Sequence, residues 1–309
     1  MSRIYTSADQ LIGKTPLLEL THMEEKTNLP AKVLAKLEYF NPAGSAKDRV
    51  AVQLIGSAEG DGRLLPGGTI IAPTSGNTGI GLCAIAAARG YRCIIVMPDS
   101  MSIERQRILT ALGAQQELTP GAEGMAASLR RGEELSREIP GSFLARQFDD
   151  PANPLAHYLT TGPEIWEDTR GQVDIFVAGI GTGGTISGVG KFLKEKNPHI
   201  RIVGVEPDTS PVLTQGKSGP HGLQGIGAGF VPNTLDLSVV DEVLTVSTQA
   251  AYAAGRRMGT AEGVLCGISS GAALHAAGVL ALRPETKGKT IVVLLPDSGE
   301  RYLSTPMYE

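Results

Sequence analysis

Six short stretches of the chain are apolar at nearly every position and rich in β-branched residues: 33–37, 69–72, 93–97, 175–178, 200–205 and 290–295. Strands that are buried on both faces read this way, as continuous rather than alternating hydrophobic runs. Between them lie segments whose apolar positions recur at helical spacing: 48–57, 78–89, 103–112, 122–138, 185–195, 250–259 and 271–281. The alternation predicts an α/β protein built on open, mostly parallel twisted sheets with helices on both faces. A break falls in the QFDDPANP stretch, where prolines and aspartates gather between periodic segments. It divides the chain into expected domains of residues 1–146 and 147–309, with residues 1 to about 35 packing on the second. Open sheets of this kind bind ligands outside the carboxyl ends of their strands.

Composition adds one anomaly. Glycine supplies 39 of 309 residues, about 13% against a usual ~7%. No Gly-X-Y period runs through the chain, so the excess points to tight turns and to backbone that approaches a ligand closely. The formal charge of −4 and the 5% aromatic content argue against a nucleic-acid partner, which calls for a basic face and stacking side chains. No apolar stretch reaches the ~18 residues of a membrane span, and the first twenty residues lack the apolar centre of a secretory signal. Cys83, Cys93 and Cys266 are few, odd in number and widely spaced. They fit core packing in a reducing compartment, and the cytoplasm is the expected location. His22, His157, His199, His221 and His275 show no metal-ligand spacing and read as structural or surface residues, with His157 and His221 close to the glycine-rich motifs. Arg105 and Arg107 read as a solvated helix face.

The densest glycine cluster is Gly179-Ile-Gly181-Thr-Gly183-Gly184, after one apolar run and before a helix, with Glu206 about 20 residues further on. By pattern this is a dinucleotide fingerprint. By physics it is a helix N-terminus opened to any phosphate, because glycines let backbone N–H groups face an anion. A second cluster, Thr74-Ser75-Gly76-Asn77-Thr78-Gly79, also opens a helix and offers hydroxyls and an amide that suit a carboxylate. Upstream, NPAGSAKDR places Lys47 at the start of a helix, where the positive dipole end favours the neutral amine that Schiff-base chemistry needs.

Taken in order, NPAGSAKDR, PTSGNTGI, MPDSMSIERQRILTALGA, QFDDPANP, TTGPEIW, GIGTGGTISG, GIGAGFVP, GISSGAA and SGERYLST give a chain that resembles the cysteine synthase family. These are the O-acetylserine sulfhydrylases, pyridoxal-phosphate enzymes of fold type II, and the A-type branch is the nearest. The likeness runs from the GKTPL stretch at 13–17 to about Thr305. It implies a fold like that of the tryptophan synthase β-subunit and the exchange of acetate for sulfide on O-acetylserine. It also implies a homodimer and a complex with serine acetyltransferase. Carried over by position, Lys47 is the lysine that holds pyridoxal phosphate, and Asn77 meets the ring hydroxyl. Gly181, Thr182, Gly183, Gly184 and Thr185 hold the phosphate, and Ser269 faces the pyridine nitrogen. Thr74, Ser75, Asn77, Thr78 and Gln147 take the substrate carboxylate. No metal is implied, and Glu206 is left without a task. A cystathionine β-synthase-type reaction and an O-phosphoserine-dependent one are the alternatives on the same fold. Asp297 departs from the family pattern, which more often has serine there.

Overall fold

Successive residues of 93–97 point to opposite faces of a sheet and are buried on both, which is why the run is apolar without alternation. In the computed structural model, which describes residues 4–309, the elements in chain order are β1 (Leu17–Glu19), α1 (Thr21–Thr27), β2 (Lys32–Leu37), α2 (Lys47–Gly60), β3 (Thr69–Pro73), α3 (Asn77–Arg89), β4 (Arg92–Pro98), α4 (Ile103–Ala111), β5 (Gln115–Thr119), α5 (Gly124–Glu138), β6 (Phe143–Leu144), α6 (Ala152–Ala156), α7 (Gly162–Asp168), β7 (Ile175–Gly179), α8 (Gly184–Lys196), β8 (Arg201–Pro207), α9 (Val212–Gln215), β9 (Glu242–Val246), α10 (Thr248–Glu262), α11 (Ile268–Ala281) and β10 (Thr290–Leu295). A π-helical turn covers His157–Thr161.

Contacts divide the chain into two units. One comprises the residues up to Ile12 with Asn41–Asn153, the other Gly13–Phe40 with Pro154–Glu309. The QFDDPAN stretch belongs to the first unit for a visible reason: Arg63 reaches Asp150 at 3.0 Å, Asp150 accepts from the Ala152 N–H, and Asn153 Nδ2 donates to the Gln147 carbonyl at 2.7 Å.

The first unit is built on an all-parallel sheet of order β5-β4-β3-β6. Cys93, Ile95 and Met97 pack with Val50, Leu54, Ile80 and Leu82 of α2 and α3, while Ile94 and Val96 meet Leu135 of α5 on the other face. The second unit has the order β1-β2-β10-β7-β8-β9, with only the β1–β2 pair antiparallel. Val177, Val203 and Val293 face the small-residue surface of α11, while Phe176, Ile202 and Val292 face α7 and α8. All six apolar runs are strands and all seven periodic segments are helices. Strands β1, β5, β6 and β9 are additional. β5 (QQELT) and β9 (EVLTV) are edge strands, each burying a single residue, so they carry no hydrophobic run. All three cysteines are free and buried, as core packing requires. Among the described residues no helix is long and apolar enough to cross a membrane.

The β9 edge is held by charge. Glu242 accepts from Arg283 at 2.7 and 2.9 Å and from Arg201 at 2.7 Å. The Arg283 hydrogen bonds, more than burial opposes them, keep the Glu242 carboxyl below its usual range. A group with a lowered folded-state pKa adds stability above its unfolded value and loses it as pH falls through the folded one. Glu242→Gln is therefore expected to cost about 1 kcal/mol at pH 7, a modest figure because solvent screens a partly exposed group, and progressively less as the solution is acidified. Thermal unfolding of both forms from neutral to acid pH checks this; a gap that does not change with pH would contradict it.

Candidate functional site

Within the first unit, the turn before α2 is tied down by polar contacts. Asn41 Nδ2 donates to the Ser45 carbonyl at 3.0 Å, Asp48 accepts from the Ala43 N–H at 2.7 Å, and Ser45 Oγ accepts from the Lys47 N–H at 3.2 Å. Gly44 takes a positive φ of 80° to close the turn. Lys47 is thereby set as the first residue of α2, half-buried. Helix α3 crosses directly over it. A Cβ at Gly81 would stand 3.0 Å from the Lys47 carbonyl oxygen, so the absence of a side chain there lets the two helices meet at the lysine.

The residues after β3 form the second cluster. Thr78 Oγ1 donates to Gln147 Oε1, and Gln147 Nε2 donates to Thr74 Oγ1 at 3.4 Å. One amide thus bridges both ends of the loop, and Asn153, fully buried, holds the Gln147 backbone. The Thr74 N–H is fixed on the Val96 carbonyl of β4 at 3.0 Å. Gly76 is the N-cap of α3 and has no side chain with which to cap it. The structure therefore gathers Thr74, Ser75, Asn77, Thr78 and Gln147 at one helix N-terminus. Arg105 is not a solvated face: its Nη1 donates to the Ser75 carbonyl at 2.7 Å. The helical pattern of α4 carries no sign of that bond, because its acceptor is a backbone carbonyl about thirty residues away.

Within the second unit, three glycine-rich segments meet. A Cβ on Gly181 would overlap the Gly225 carbonyl oxygen, one on Gly179 would lie 2.7 Å from Ile226 Cγ2, and the Gly227 N–H donates to the Ile180 carbonyl at 2.9 Å. A Cβ on Gly225 would be 3.4 Å from Ser269 Oγ. Gly181, Thr182, Gly183, Gly184 and Thr185 wrap the N-terminus of α8, whose cap residue, Gly183, has φ +83° and no side chain to offer. Ser269, on the first turn of α11, is 4% exposed, and none of the described residues hydrogen-bonds its hydroxyl.

Two residues acquire tasks that the residue pattern left open. His157 is fully buried in the π-helical turn, with Nδ1 2.9 Å from Thr161 Oγ1 and Nε2 3.1 Å from Thr185 Oγ1, so it fixes a hydroxyl of the cup. Glu206 accepts from the Leu213 N–H at 2.8 Å and from the Thr214 N–H and Oγ1 at 3.0 and 2.6 Å, capping α9 rather than reaching for a ribose. Asp297 is buried and accepts from Tyr302 Oη at 2.6 Å. Burial and, secondarily, the Asp297 charge push the neighbouring Cys266 thiol up to about 12, which leaves it protonated and inert.

An uncapped helix N-terminus flanked by the Thr182 and Thr185 hydroxyls, with no lysine or arginine in the turn, fits a phosphate monoester held by N–H and O–H donors. The Ser269 hydroxyl, on a residue that is 4% exposed and beside the Gly225 backbone, fits a ring heteroatom. A lysine at a helix start fits an aldehyde. Each of these donor groups suits a part of pyridoxal phosphate, whereas the acid at the dinucleotide spacing, Glu206, is taken up by the Leu213 and Thr214 N–H groups.

The sequence matches the pyridoxal-phosphate dependent enzyme family over residues 8–297. It is 50% identical to a cysteine synthase of Staphylococcus aureus over 300 residues, covering 97% of this chain and 96% of that one. Among solved structures, the cysteine synthase of Entamoeba histolytica superposes with a TM-score of 0.96 at 48% identity, covering 99% of this chain and 91% of that one. An O-ureido-L-serine synthase superposes with a TM-score of 0.94 at 42% identity, covering 99% and 95%.

Proposed function

The chain belongs to the pyridoxal-phosphate dependent enzymes, and from its site we infer that it is a cysteine synthase, converting O-acetyl-L-serine and sulfide into L-cysteine and acetate. The observation that carries this reading is a pair of uncapped helix N-termini, that of α8 fitted to a phosphate and that of α3 fitted to a carboxylate.

Pyridoxal phosphate, when bound, supplies the electron sink that weakens bonds at the substrate α-carbon. Lys47 holds it, and the α8 cup of Gly181, Thr182, Gly183, Gly184 and Thr185 takes its phosphate. Asn77 hydrogen-bonds its ring hydroxyl. Ser269 offers the ring nitrogen a neutral hydroxyl, which, unlike an acid, adds no positive charge. That choice moderates the sink and favours loss of a β-substituent over amino transfer.

The substrate carboxylate lies at the N-terminus of α3. Gln147 has one amide N–H and one lone pair left after bridging Thr74 and Thr78, and Ser75 brings a hydroxyl with no partner among the described residues. Lys47 Nζ, as the free amine, removes the α-proton and stands beside the reacting carbon while acetate departs from the β-carbon. Sulfide, as HS⁻, then forms the C–S bond at that carbon, and Lys47 Nζ returns the proton to the α-position. The two half-reactions share one lysine, which gives ping-pong kinetics.

The same reading places the enzyme in the cytoplasm as a homodimer that binds serine acetyltransferase. The sparse, unpaired cysteines support the compartment.

The test is made on purified, cofactor-loaded protein. O-acetylserine with sulfide is expected to give a kcat/KM at least about a hundredfold above that of serine with homocysteine or O-phosphoserine with sulfide, since each competitor changes polar contacts in a small pocket. Faster turnover of either competitor pair would replace the reading by the corresponding alternative.

A further inference from the structure

We propose that Arg105 is a positioning residue for the substrate carboxylate, acting through the Ser75–Gly76 peptide. This rests on the reading of the α3 N-terminus as the carboxylate site. Arg105 Nη1 donates to the Ser75 carbonyl at 2.7 Å, so a full positive charge sits on the oxygen of the peptide whose nitrogen side is the Gly76 N–H. A charged donor on a carbonyl polarises the rest of its peptide and strengthens the N–H as a donor. It also places positive potential one peptide's length from the anion.

The local structure gives this contact something to do. Gln147 clamps both ends of the loop through Thr74 and Thr78. Its middle has no such support. A Cβ at Gly76 would meet nothing within 4 Å, and the Gly76 N–H has only a long 3.4 Å bond to Thr74 Oγ1. The carbonyl of the Ser75–Gly76 peptide is held by Arg105.

The arginine in turn stands on a fixed platform. Helix α4 buries only Leu109, yet Gln116 of β5 donates to the Gln106 carbonyl at 2.8 Å and to Thr110 Oγ1 at 2.7 Å. Strand β5 pairs with β4 at Glu117↔Val96, and the Val96 carbonyl holds the Thr74 N–H. Helix and loop thus share one root in β4. Arg107, on the same helix and exposed, has no part in this chain of contacts and serves as the matched loss of charge.

The experiment is steady-state kinetics of the holoenzyme with Arg105→Gln, Arg105→Lys and Arg107→Gln, varying O-acetylserine, sulfide and salt. Arg105→Gln is expected to raise KM for O-acetylserine about tenfold, the loss of one charge-assisted hydrogen bond, with kcat within about twofold. KM for sulfide and the visible absorption of the bound cofactor stay as in the wild type. Arg105→Lys recovers most of the loss. KM of the wild type is expected to rise with ionic strength, and that rise to flatten in Arg105→Gln and persist in Arg107→Gln, a signature that a purely structural role would not produce. Should the glutamine variant fail to accumulate, Arg105→Met, which keeps the apolar stem, takes its place.

An unchanged KM in Arg105→Gln, or a fall in kcat alone, overturns the proposal. Gln147→Ala separates the two levels. If it raises KM while Arg105→Gln does not, the carboxylate site stands and only the role of Arg105 falls; if neither raises KM, both fall.

Discussion

Lys47→Ala is expected to fold like the wild type, to bind pyridoxal phosphate without a covalent link, and to lose at least about a thousandfold in turnover. The structural cost is small for a specific reason. The tight contact at this position is between the α3 backbone at Gly81 and the backbone carbonyl of Lys47, which alanine keeps. The turn before α2 is held by Asn41, Ser45 and Asp48 and does not use the lysine side chain in the contacts that fix its backbone. Alanine is also a strong helix former. The chemical cost is large because one amine serves as attachment point, as base at the α-carbon and as the acid that returns the proton. Borohydride reduction followed by mass spectrometry should add the cofactor to Lys47 in the wild type and to no residue in the variant. Turnover within tenfold of the wild type, with the cofactor bound, would remove Lys47 from its role.

How far the site was readable from the residues depends on what kind of group carries each part. Interior strands such as 93–97 and 290–295 were plain because burial on both faces leaves no polar position. β5 and β9 were not, because an edge strand exposes one flank and fills it with charged partners such as Arg131 on Glu117 or Arg283 on Glu242. The cup at Gly181 and Gly183 announced itself through glycine, since close backbone approach excludes every side chain. What it holds was not announced. The same turn satisfied a dinucleotide pattern, and Glu206 completed it on spacing alone, whereas in the fold that carboxylate is consumed by the N–H groups of Leu213 and Thr214. Lys47, Ser269 and Gln147 are ordinary residue types whose assignment came from a family resemblance rather than from any periodicity. Arg105 and His157 lay beyond both routes. Each acts on a partner distant in sequence, Ser75 and Thr185, and a bond to a carbonyl or a hydroxyl across a fold leaves no local trace.

Gly183→Ala should damage the cup on two independent grounds, backbone strain and overpacking. Gly183 sits at φ +83°, where an L-residue with a Cβ is strained by about 1–2 kcal/mol. The added carbon would also lie 2.6 Å from Leu235 Cβ and 2.9 Å from Leu235 Cα. The second of these is main chain and cannot swing aside. Displacing it pulls on the bonds that hold the same segment to the cup, Thr234 Oγ1 to the Thr182 carbonyl at 2.6 Å and the Asp236 N–H to Ser187 Oγ at 2.8 Å. Relief therefore comes by turning the Gly183–Gly184 peptide and spoiling the aim of the α8 N-terminus. Overpacking against backbone costs about 1–3 kcal/mol beyond the φ strain, and part of that falls on phosphate binding. Gly263→Ala is the control that isolates the φ term, because Gly263, at φ +72°, has nothing within 4 Å of its would-be Cβ. It should lower stability by about 1–2 kcal/mol and leave cofactor affinity alone. Gly183→Ala should lower stability further and weaken pyridoxal phosphate binding about a hundredfold, read by titrating the resolved apoprotein, the equivalent of nearly 3 kcal/mol. If both glycine variants bound the cofactor equally well, the cup would not be where the phosphate is held.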